Sequence, residues 1–263
     1  MTTTALAVAV SFLFMITVHE AGHLAAGLLT GVPPEEYSIG FGPRLWGFTV
    51  GGVDYSLRLL PLGGYVTFEG RGPHDSRYPL WGRMATITAG VAMNVLLAVG
   101  VFSGVAAFGE VEASAPAGSV ESGDRRVAVV PTAVSGLRRG WKRTVDSASV
   151  IGRSMWALAK GRISVRRLMG PVRIVGVGAR VRDAGWDRFF AFMATISVHL
   201  AVINLLPLPA LDGGHLILVL CEGIRGRAFE RETLATIQAL GALCLIALFV
   251  AITTNDILML IGI

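Results

Sequence analysis

Long apolar blocks dominate the pattern of hydrophobic and polar positions along this chain. Four of them approach the roughly 20 residues that cross a hydrocarbon core of about 30 Å. They run from Ala5 to Leu29, from Ala85 to Phe108, from Phe189 to Pro207 and from Leu234 to Thr253. The pattern predicts four transmembrane helices. The alternative is a set of buried helices in a large soluble protein.

Polar and glycine-rich segments separate the four blocks. Residues 53–70, VDYSLRLLPLGGYVTFEG, predict two short strands around a Pro-Leu-Gly-Gly turn, with an ordinary interfacial loop as the alternative. From Gly136 to Arg167, basic side chains alternate with tryptophan and aliphatic ones, which is typical of amphipathic helices at a membrane surface. A basic solvated surface is the other interpretation. The predicted fold is thus an all-α polytopic membrane protein with about four transmembrane helices, a membrane-associated β-hairpin and interfacial amphipathic helices.

The same pattern divides the chain into three parts. Residues 1–108 form an N-terminal membrane half, residues 109–188 a loop with the basic amphipathic segment, and residues 189–263 a C-terminal membrane half. The small-residue stretch from Gly109 to Ser135 is too short for an independent domain, which needs at least about 50 residues.

Composition agrees with a membrane protein. Charged residues make up 16% of the chain, against about 25% in soluble domains. The net charge of +5 comes from loop arginines, which favours contact with anionic lipid head groups, and nothing in the sequence indicates nucleic acid. Lys and Arg number 5 in residues 30–84, 15 in residues 109–188 and 3 in residues 222–233. Charge counting alone makes the 109–188 loop cytoplasmic, but that loop exceeds the roughly 60 residues for which the rule is reliable.

The first apolar block carries three ionisable side chains in its interior. The stretch TVHEAGHLAAG, residues 17–27, places His19, Glu20 and His23 in the first predicted membrane helix. Histidines at i and i+4 lie on one helix face and can bind one metal ion, while Glu20 can reach a water on that ion. Ionisable groups inside a span usually have a partner and a function. The stretch predicts a catalytic zinc site with Glu20 as general base, and the alternative is a structural histidine cluster.

A catalytic zinc ion usually takes three protein ligands. The third is expected from residues 197–216, SVHLAVINLLPLPALDGGHL, where two prolines break the third helix near one end. Broken backbone at membrane depth survives only where it is buried in protein or lines a wet cavity. Asp212 follows the break and is the predicted ligand. His215 is its rival, His199 is a weaker candidate more than three helical turns earlier, and a helix-cap role is the alternative for Asp212.

These two motifs together resemble the site-2 protease family of intramembrane zinc metalloproteases. HEAGH at residues 19–23 matches the family's His-Glu-x-x-His, and NLLPLPALDGGH at residues 204–215 matches its Asn-x-x-Pro-x-x-x-Leu-Asp-Gly segment. Three further stretches look most like the bacterial regulator-of-sigma-E protease branch: YSIGFGPRLW, LLPLGGYVTF and GPVRIVGVGA.

The resemblance implies a role for each matching residue. His19, His23 and Asp212 would bind Zn²⁺. Glu20 would activate the attacking water, and Asn204 would bind the substrate backbone near the scissile bond. The hairpin around residues 56–68 would pair with an unwound substrate, through Leu62, Gly63, Gly64 and Tyr65.

The resemblance also implies a location. It places the chain in the bacterial inner membrane as a multi-pass protein, with the active site toward the cytoplasm and with both termini and the 109–188 loop outside. That orientation is preferred here over the one from charge counting.

Two departures from the family pattern qualify the resemblance. Members of this branch commonly carry one or two PDZ domains between the second and third helices, and the stretch from Gly109 to Ser135 has no room for one. Substrate selection by a PDZ domain is therefore in doubt. In AGVAMN, residues 89–94, Val91 stands where the family often has proline, whereas Asn94 remains, so a modest packing change is expected.

Three functions compete on this evidence. The first is a zinc endopeptidase that cuts single-pass membrane proteins, such as anti-sigma factors or remnant signal peptides. The second is a catalytically silent pseudoprotease that binds membrane proteins, against which the intact Glu20 argues. The third is a metal transporter, which the near absence of ionisable residues from the second and fourth spans disfavours. The expected partners are single-pass substrates and the lipid bilayer, and the sequence does not indicate an oligomeric state.

Overall fold

The computed structural model describes residues 2–108, 133–162 and 169–261. Seven helices and two long strands form its regular structure. In chain order these are α1 (Thr2–Thr30), β1 (Pro34–Val50), β2 (Val53–Phe68), α2 (Leu80–Phe108), α3 (Ala133–Ala159), α4 (Pro171–Asp183), α5 (Trp186–Asn204), α6 (Asp212–Arg225) and α7 (Arg231–Leu260), with a single 3-10 turn at Gly72–His74 before α2.

Four helices are long and apolar enough to cross a membrane: α1, α2, α5 and α7. They coincide with the four predicted blocks, so the prediction of a polytopic helical membrane protein is confirmed. Several spans extend beyond their apolar block into polar residues. α2 begins before Arg83, α5 begins before Asp187, and α7 begins at Arg231. Arg83 lies inside its helix because it is buried against a partner on α6, Glu222.

The core of the bundle lies between α1, α2 and α5. One cluster of buried side chains joins α1 to α5 through Val8, Met15 and Phe189, with α4 packed against it. A second cluster joins α2 to α5 and includes Ile151 of α3. The two helices α1 and α2 approach closely because Gly22 has no side chain; a Cβ there would lie 2.5 Å from the carbonyl oxygen of Ala89.

The β-hairpin is longer than predicted, and its turn lies elsewhere. β1 and β2 pair antiparallel up to the pair Val50–Val53, so the chain reverses at Gly51 and Gly52, where φ is +61° and +85°. Two successive positive φ angles suit a tight hairpin turn and favour glycine at both positions. The predicted Pro-Leu-Gly-Gly turn, residues 61–64, is wrong: it lies within β2.

Residues 61–63 form an irregularity inside β2. The register passes from Phe41 paired with Leu60 to Ile39 paired with Gly64, so β2 has two more residues than β1 over this interval. Such a bulge bends a strand. Beyond it, Glu36–Ile39 of β1 pair with 64–67 on one side and with 54–57 on the other.

The basic segment of the predicted loop is helical as far as Ala159, and residues 163–167 at its end lie outside the described part of the chain. α3 has one face of small and aliphatic side chains against α2 and α5, where Gly140 lies against Ser103. Trp141 and Trp156 are exposed on its other side, as expected for an amphipathic helix. The residues from 109 to 132, which carry most of the predicted small-residue stretch, lie outside the described part of the chain.

Candidate metal centre

Three side chains from two distant parts of the sequence converge inside the bundle. The Nε2 atoms of His19 and His23 lie 3.2 Å apart. Oδ2 of Asp212 lies 3.2 Å from Nε2 of His19, and Oδ1 of Asp212 lies 3.5 Å from Nε2 of His23. Among the described residues, these form the one group of three or more metal-binding side chains. The structure therefore brings together the three predicted ligands.

The spacing of these atoms suits a tetrahedral metal ion. Zinc bonds of about 2.0–2.1 Å to nitrogen and oxygen imply ligand atoms about 3.3 Å apart, and the three observed separations are close to that value. Oδ2 of Asp212 is buried and has no hydrogen-bond donor among the described residues. A buried carboxylate oxygen without a donor is costly unless a cation binds it. The donor set thus fits zinc.

The two histidines of α1 pack against α2 at a position that has no side chain. This position is Gly90, where a Cβ would lie 2.3 Å from Nε2 of His23 and 2.7 Å from Cε1 of His19. Both imidazoles are buried, with His19 only 6% exposed.

Backbone geometry brings Asp212 to the histidines. α5 ends at Asn204, three residues before the first proline, and α6 begins at Asp212. The turn between them folds tightly over two glycines, since a Cβ at Gly213 or Gly214 would lie within 2.3 Å of a carbonyl oxygen. The N-cap residue of α6 is Leu211, and Asp212 is the first residue of the helix itself. The helix-cap alternative is therefore wrong.

The carboxylate of Asp212 is ionised in this setting. Burial by itself raises the pKa of Asp212, but the adjacent imidazoles of His19 and His23 outweigh it and lower the pKa to about 2. An ionised carboxylate is the form that binds a metal ion.

The Nδ1 atoms of both imidazoles also have polar partners. Nδ1 of His23 donates to the backbone oxygen of Thr86 at 2.8 Å, which leaves the Nε2 lone pair free for a metal. Nδ1 of His19 lies 3.2 Å from the side-chain amide of Asn94, which is fully buried. The atom of Asn94 that faces Nδ1 is Nδ2. When His19 binds a metal through Nε2, Nδ1 carries the hydrogen, and rotation of the amide by 180° lets its oxygen accept that hydrogen. That arrangement also gives the buried Oδ1 of Asn94 its hydrogen-bond partner.

Two cavities meet at the converging groups. The smaller, about 180 Å³, is lined by Glu20, Asn94, Asn204 and Asp212 among others. The larger, about 330 Å³, extends from Glu20 and Asp212 to the β-hairpin and to two further histidines. Glu20 therefore lies where both cavities reach the metal ligands. Nδ2 of Asn204, the last residue of α5, is 3.1 Å from Nε2 of His19.

The predicted substrate-binding segment of β2 adjoins this position. A Cβ at Gly64 would lie 3.1 Å from Cγ of Glu20, so β2 passes directly beside the predicted general base. Gly63 packs against the ring of Phe41, and Tyr65 lines the larger cavity. The side chain of Leu62 lies outside the described part of the structure.

Hydrogen bonds hold this part of the hairpin in place. The hydroxyl of Tyr65 donates to Oε2 of Glu36 at 3.1 Å, and Arg58 and Ser56 donate to Oε1. Burial raises the pKa of Glu36, but the hydrogen bonds from Arg58, Ser56 and Tyr65 outweigh it and lower the pKa.

Neither rival histidine joins the metal group. His199 donates from Nδ1 to the oxygen of Thr195 on its own helix, and His215 is hydrogen-bonded to His74. The sequence motifs did not indicate that Thr86, Gly90 and His74 belong to the site. No motif marks a backbone carbonyl such as that of Thr86, whereas the lone histidine in the polar turn after the hairpin was a signal for His74.

Comparisons with known proteins agree with the geometry. The family described as peptidase family M50 matches residues 7–248, which is most of the chain. The chain belongs to this family of peptidases.

Relatives cover nearly the whole chain at modest identity. A "putative zinc metalloprotease" of Clostridium acetobutylicum is 27% identical over 94% of this chain and 95% of its own length. Another protein so named, from Agrobacterium fabrum, is 28% identical over 94% of both chains. The chloroplastic membrane metalloprotease ARASP of Arabidopsis thaliana is 29% identical over 94% of this chain and 77% of its own length. The alignment to the Clostridium protein has 322 positions, more than the 263 residues present here, so that relative has residues without a counterpart in this chain.

Proposed function

We propose that this protein is an intramembrane zinc endopeptidase that cleaves transmembrane segments of single-pass membrane proteins. The observation that carries the proposal is the position of Glu20, between two cavities and beside three converging metal ligands, within apolar spans. A site for peptide hydrolysis at this depth can act on a substrate that is itself in the membrane.

The proposed chemistry assigns one role to each residue. His19, His23 and Asp212 would hold Zn²⁺, which would supply Lewis-acid polarisation of the carbonyl and of the attacking water. Glu20 would take a proton from that water as the water oxygen bonds to the scissile carbonyl carbon, and would pass the proton to the leaving amine as the C–N bond breaks. Asn204 positions the substrate backbone beside the metal ligands.

A transmembrane substrate must unwind before it is cut, because the peptide bonds of a helix are hydrogen-bonded and shielded. In hydrocarbon each freed N–H and C=O needs a new partner. The edge of β2 beside Glu20 can supply such partners by strand addition. Substrate binding through Gly64, Tyr65 and their neighbours follows from this position.

The proposed setting is the bacterial inner membrane, with the site toward the cytoplasm. Anti-sigma factors and remnant signal peptides are the substrate classes we favour, and the lipid bilayer is the other partner. The exposed tryptophans and basic side chains of α3 are consistent with contact to lipid head groups.

Cleavage in liposomes tests the function. A panel of truncated single-pass substrates is incubated with the wild type and with Glu20→Gln, and zinc is measured in both proteins. We expect cutting by the wild type alone, zinc in both, loss of cutting with a chelator and its return with added zinc. Removing a general base costs about 10²–10⁴-fold in rate.

The other outcomes separate the alternatives. Zinc in both proteins without cutting of any substrate would favour the silent, binding pseudoprotease. Absence of zinc from both would exclude the metal site and the enzyme with it. His199→Leu is the matched control, because His199 lies outside the metal group and should change neither zinc content nor rate.

A further inference from the structure

A second pair of histidines lies on the wall of the larger cavity. Nδ1 of His215, in the first turn of α6, lies 3.0 Å from Nε2 of His74, in the turn that follows the hairpin. His74 is only 4% exposed, and both rings line the cavity that reaches Glu20. The chemistry proposed above uses neither ring.

The surroundings of His74 fix the direction of this hydrogen bond. Burial, with the positive charges of Arg83 and Arg71, lowers the pKa of His74 to about 3, so its ring is neutral. Oε2 of Glu222 lies 3.7 Å from Nδ1 of His74, which favours the hydrogen on Nδ1. Nε2 of His74 is then an acceptor.

The same reasoning leaves His215 with a free lone pair. Because Nε2 of His74 accepts, Nδ1 of His215 donates to it, and a neutral imidazole has one hydrogen only. Burial lowers the pKa of His215, which keeps its ring neutral as well. Within the described residues, Nε2 of His215 has no hydrogen-bond donor, so the larger cavity contains a fixed hydrogen-bond acceptor.

A substrate strand needs such a group. The N–H and C=O groups of an extended chain alternate between its two sides. Pairing with the edge of β2 satisfies one side and leaves the groups on the other side without partners. Asn204 lines the smaller cavity and His215 lines the larger one, so each cavity has a polar side chain from the α5–α6 region of the fold.

We infer that Nε2 of His215 accepts a hydrogen bond from a substrate backbone N–H on the side turned away from β2, and that His74 is its positioning residue. The inference rests on the proposed function, since it assigns a backbone-binding residue to that site. His215 thereby holds the stretch of unwound substrate that enters the larger cavity.

Replacement of single substrate amides by esters tests this contact. An ester removes one N–H and keeps every side chain, so a series with one ester at each position of the cleaved segment probes each N–H in turn. The kcat and KM values are measured for the wild type, His215→Leu and His215→Gln, with zinc content of each. Binding of the same series to variants that also carry Glu20→Gln gives a second measurement without turnover.

We expect the effect of the ester to depend on His215 at one position of the substrate. There the ester lowers kcat/KM of the wild type about tenfold, the usual cost of a lost buried hydrogen bond, and has almost no effect on His215→Leu. His215→Gln keeps an acceptor and retains part of the position-dependent loss. His74→Phe releases the His215 ring and weakens the same dependence, whereas His199→Leu leaves it unchanged. Zinc content is the same in all variants.

Other results overturn the inference. Esters that cost the wild type and His215→Leu equally at every position exclude the contact while the proposed function stands. Loss of zinc from His215→Leu would mean that His215 acts on the metal site instead. A wild type that cuts none of the unmodified substrates overturns the proposed function and this contact together.

Discussion

Individual side chains set the orientation of the metal ligands. A histidine that binds zinc through one nitrogen almost always donates a hydrogen bond from the other, and the acceptor fixes the orientation of the ring. The carbonyl oxygen of Thr86 does this for His23, and the amide of Asn94 does it for His19. Both partners belong to α2, so the helix packed against α1 determines which nitrogens face Asp212.

Asn94→Ala should weaken zinc binding because it removes the partner of Nδ1 in His19. Loss of such an outer partner costs about 10- to 100-fold in metal affinity. Competition with a chromophoric chelator measures the change. Ser197→Ala is the matched control, since Ser197 donates to the backbone oxygen of Asn94 and leaves the amide in place. Equal affinities for Asn94→Ala and the wild type would contradict the assignment.

The sequence predicted the ligands better than it predicted their partners. His19, Glu20 and His23 share one helix face, and Asp212 follows a helix break, so local pattern was enough to mark them. The partners depend on packing between helices. A backbone oxygen such as that of Thr86, or a space such as that beside Gly90, has no residue pattern of its own.

At the scale of elements, β2 is the strand that borders the proposed reaction site. Its segment 64–67 pairs with 36–39 of β1, and Gly64 lies against Glu20. A glycine here lets the strand approach the general base more closely than any residue with a side chain.

Gly64→Ala should lower kcat by about 10- to 100-fold, because a displacement near 1 Å at a reacting group has that effect. Its Cβ would lie 3.1 Å from Cγ of Glu20 and 2.9 Å from the backbone oxygen of Ser38. Zinc content should not change. Gly100→Ala is the matched control, because a Cβ at Gly100 of α2 would meet no atom within 4 Å. Equal kcat values for Gly64→Ala and the wild type would contradict this account.

The hairpin also shows where prediction from sequence failed. Pro61 and two glycines indicated a turn at residues 61–64, but the chain passes through them in a bulge of β2. The true turn uses Gly51 and Gly52. Both places have the composition of a turn, and only the pairing of the distant β1 residues distinguishes them.

A buried ion pair joins α2 to α6. Arg83 donates to the carboxylate of Glu222, and both side chains are about 5% exposed or less. Arg83→Met leaves that carboxylate without its cation and should destabilise the fold by about 3–5 kcal/mol. Thermal unfolding in detergent measures the loss. Arg83→Met with Glu222→Leu should recover part of it, and only part, because Arg83 also donates to the oxygen of Pro73. A double variant less stable than the single one would contradict this account.

At the scale of the whole molecule, composition and periodicity predicted the four spans, because each span is apolar around most of its surface. They did not predict how the spans assemble. α1, α2 and α5 share a core, whereas α7 has little of its surface buried in the protein. Gly241 of α7 packs against Pro209 and Ala210 in the turn before Asp212. A second contact of α7 with a distant element lies near the opposite end of that helix and includes a buried carboxylate.

Asp256 makes that contact and should be important for stability. Its carboxylate is fully buried and accepts hydrogen bonds from the backbone N–H groups of Gly170 and Arg173, so a side chain of α7 caps the N-terminus of α4. Asp256→Ala removes both acceptors, and loss of a helix cap costs about 0.5–2 kcal/mol. Asp256→Asn keeps one acceptor and should fall between Asp256→Ala and the wild type in thermal unfolding in detergent. Thr254→Ala, on the exposed side of α7, is the matched control and should unfold with the wild type. Equal melting temperatures for all three variants would mean that the cap contributes nothing to the assembly of α7 with α4.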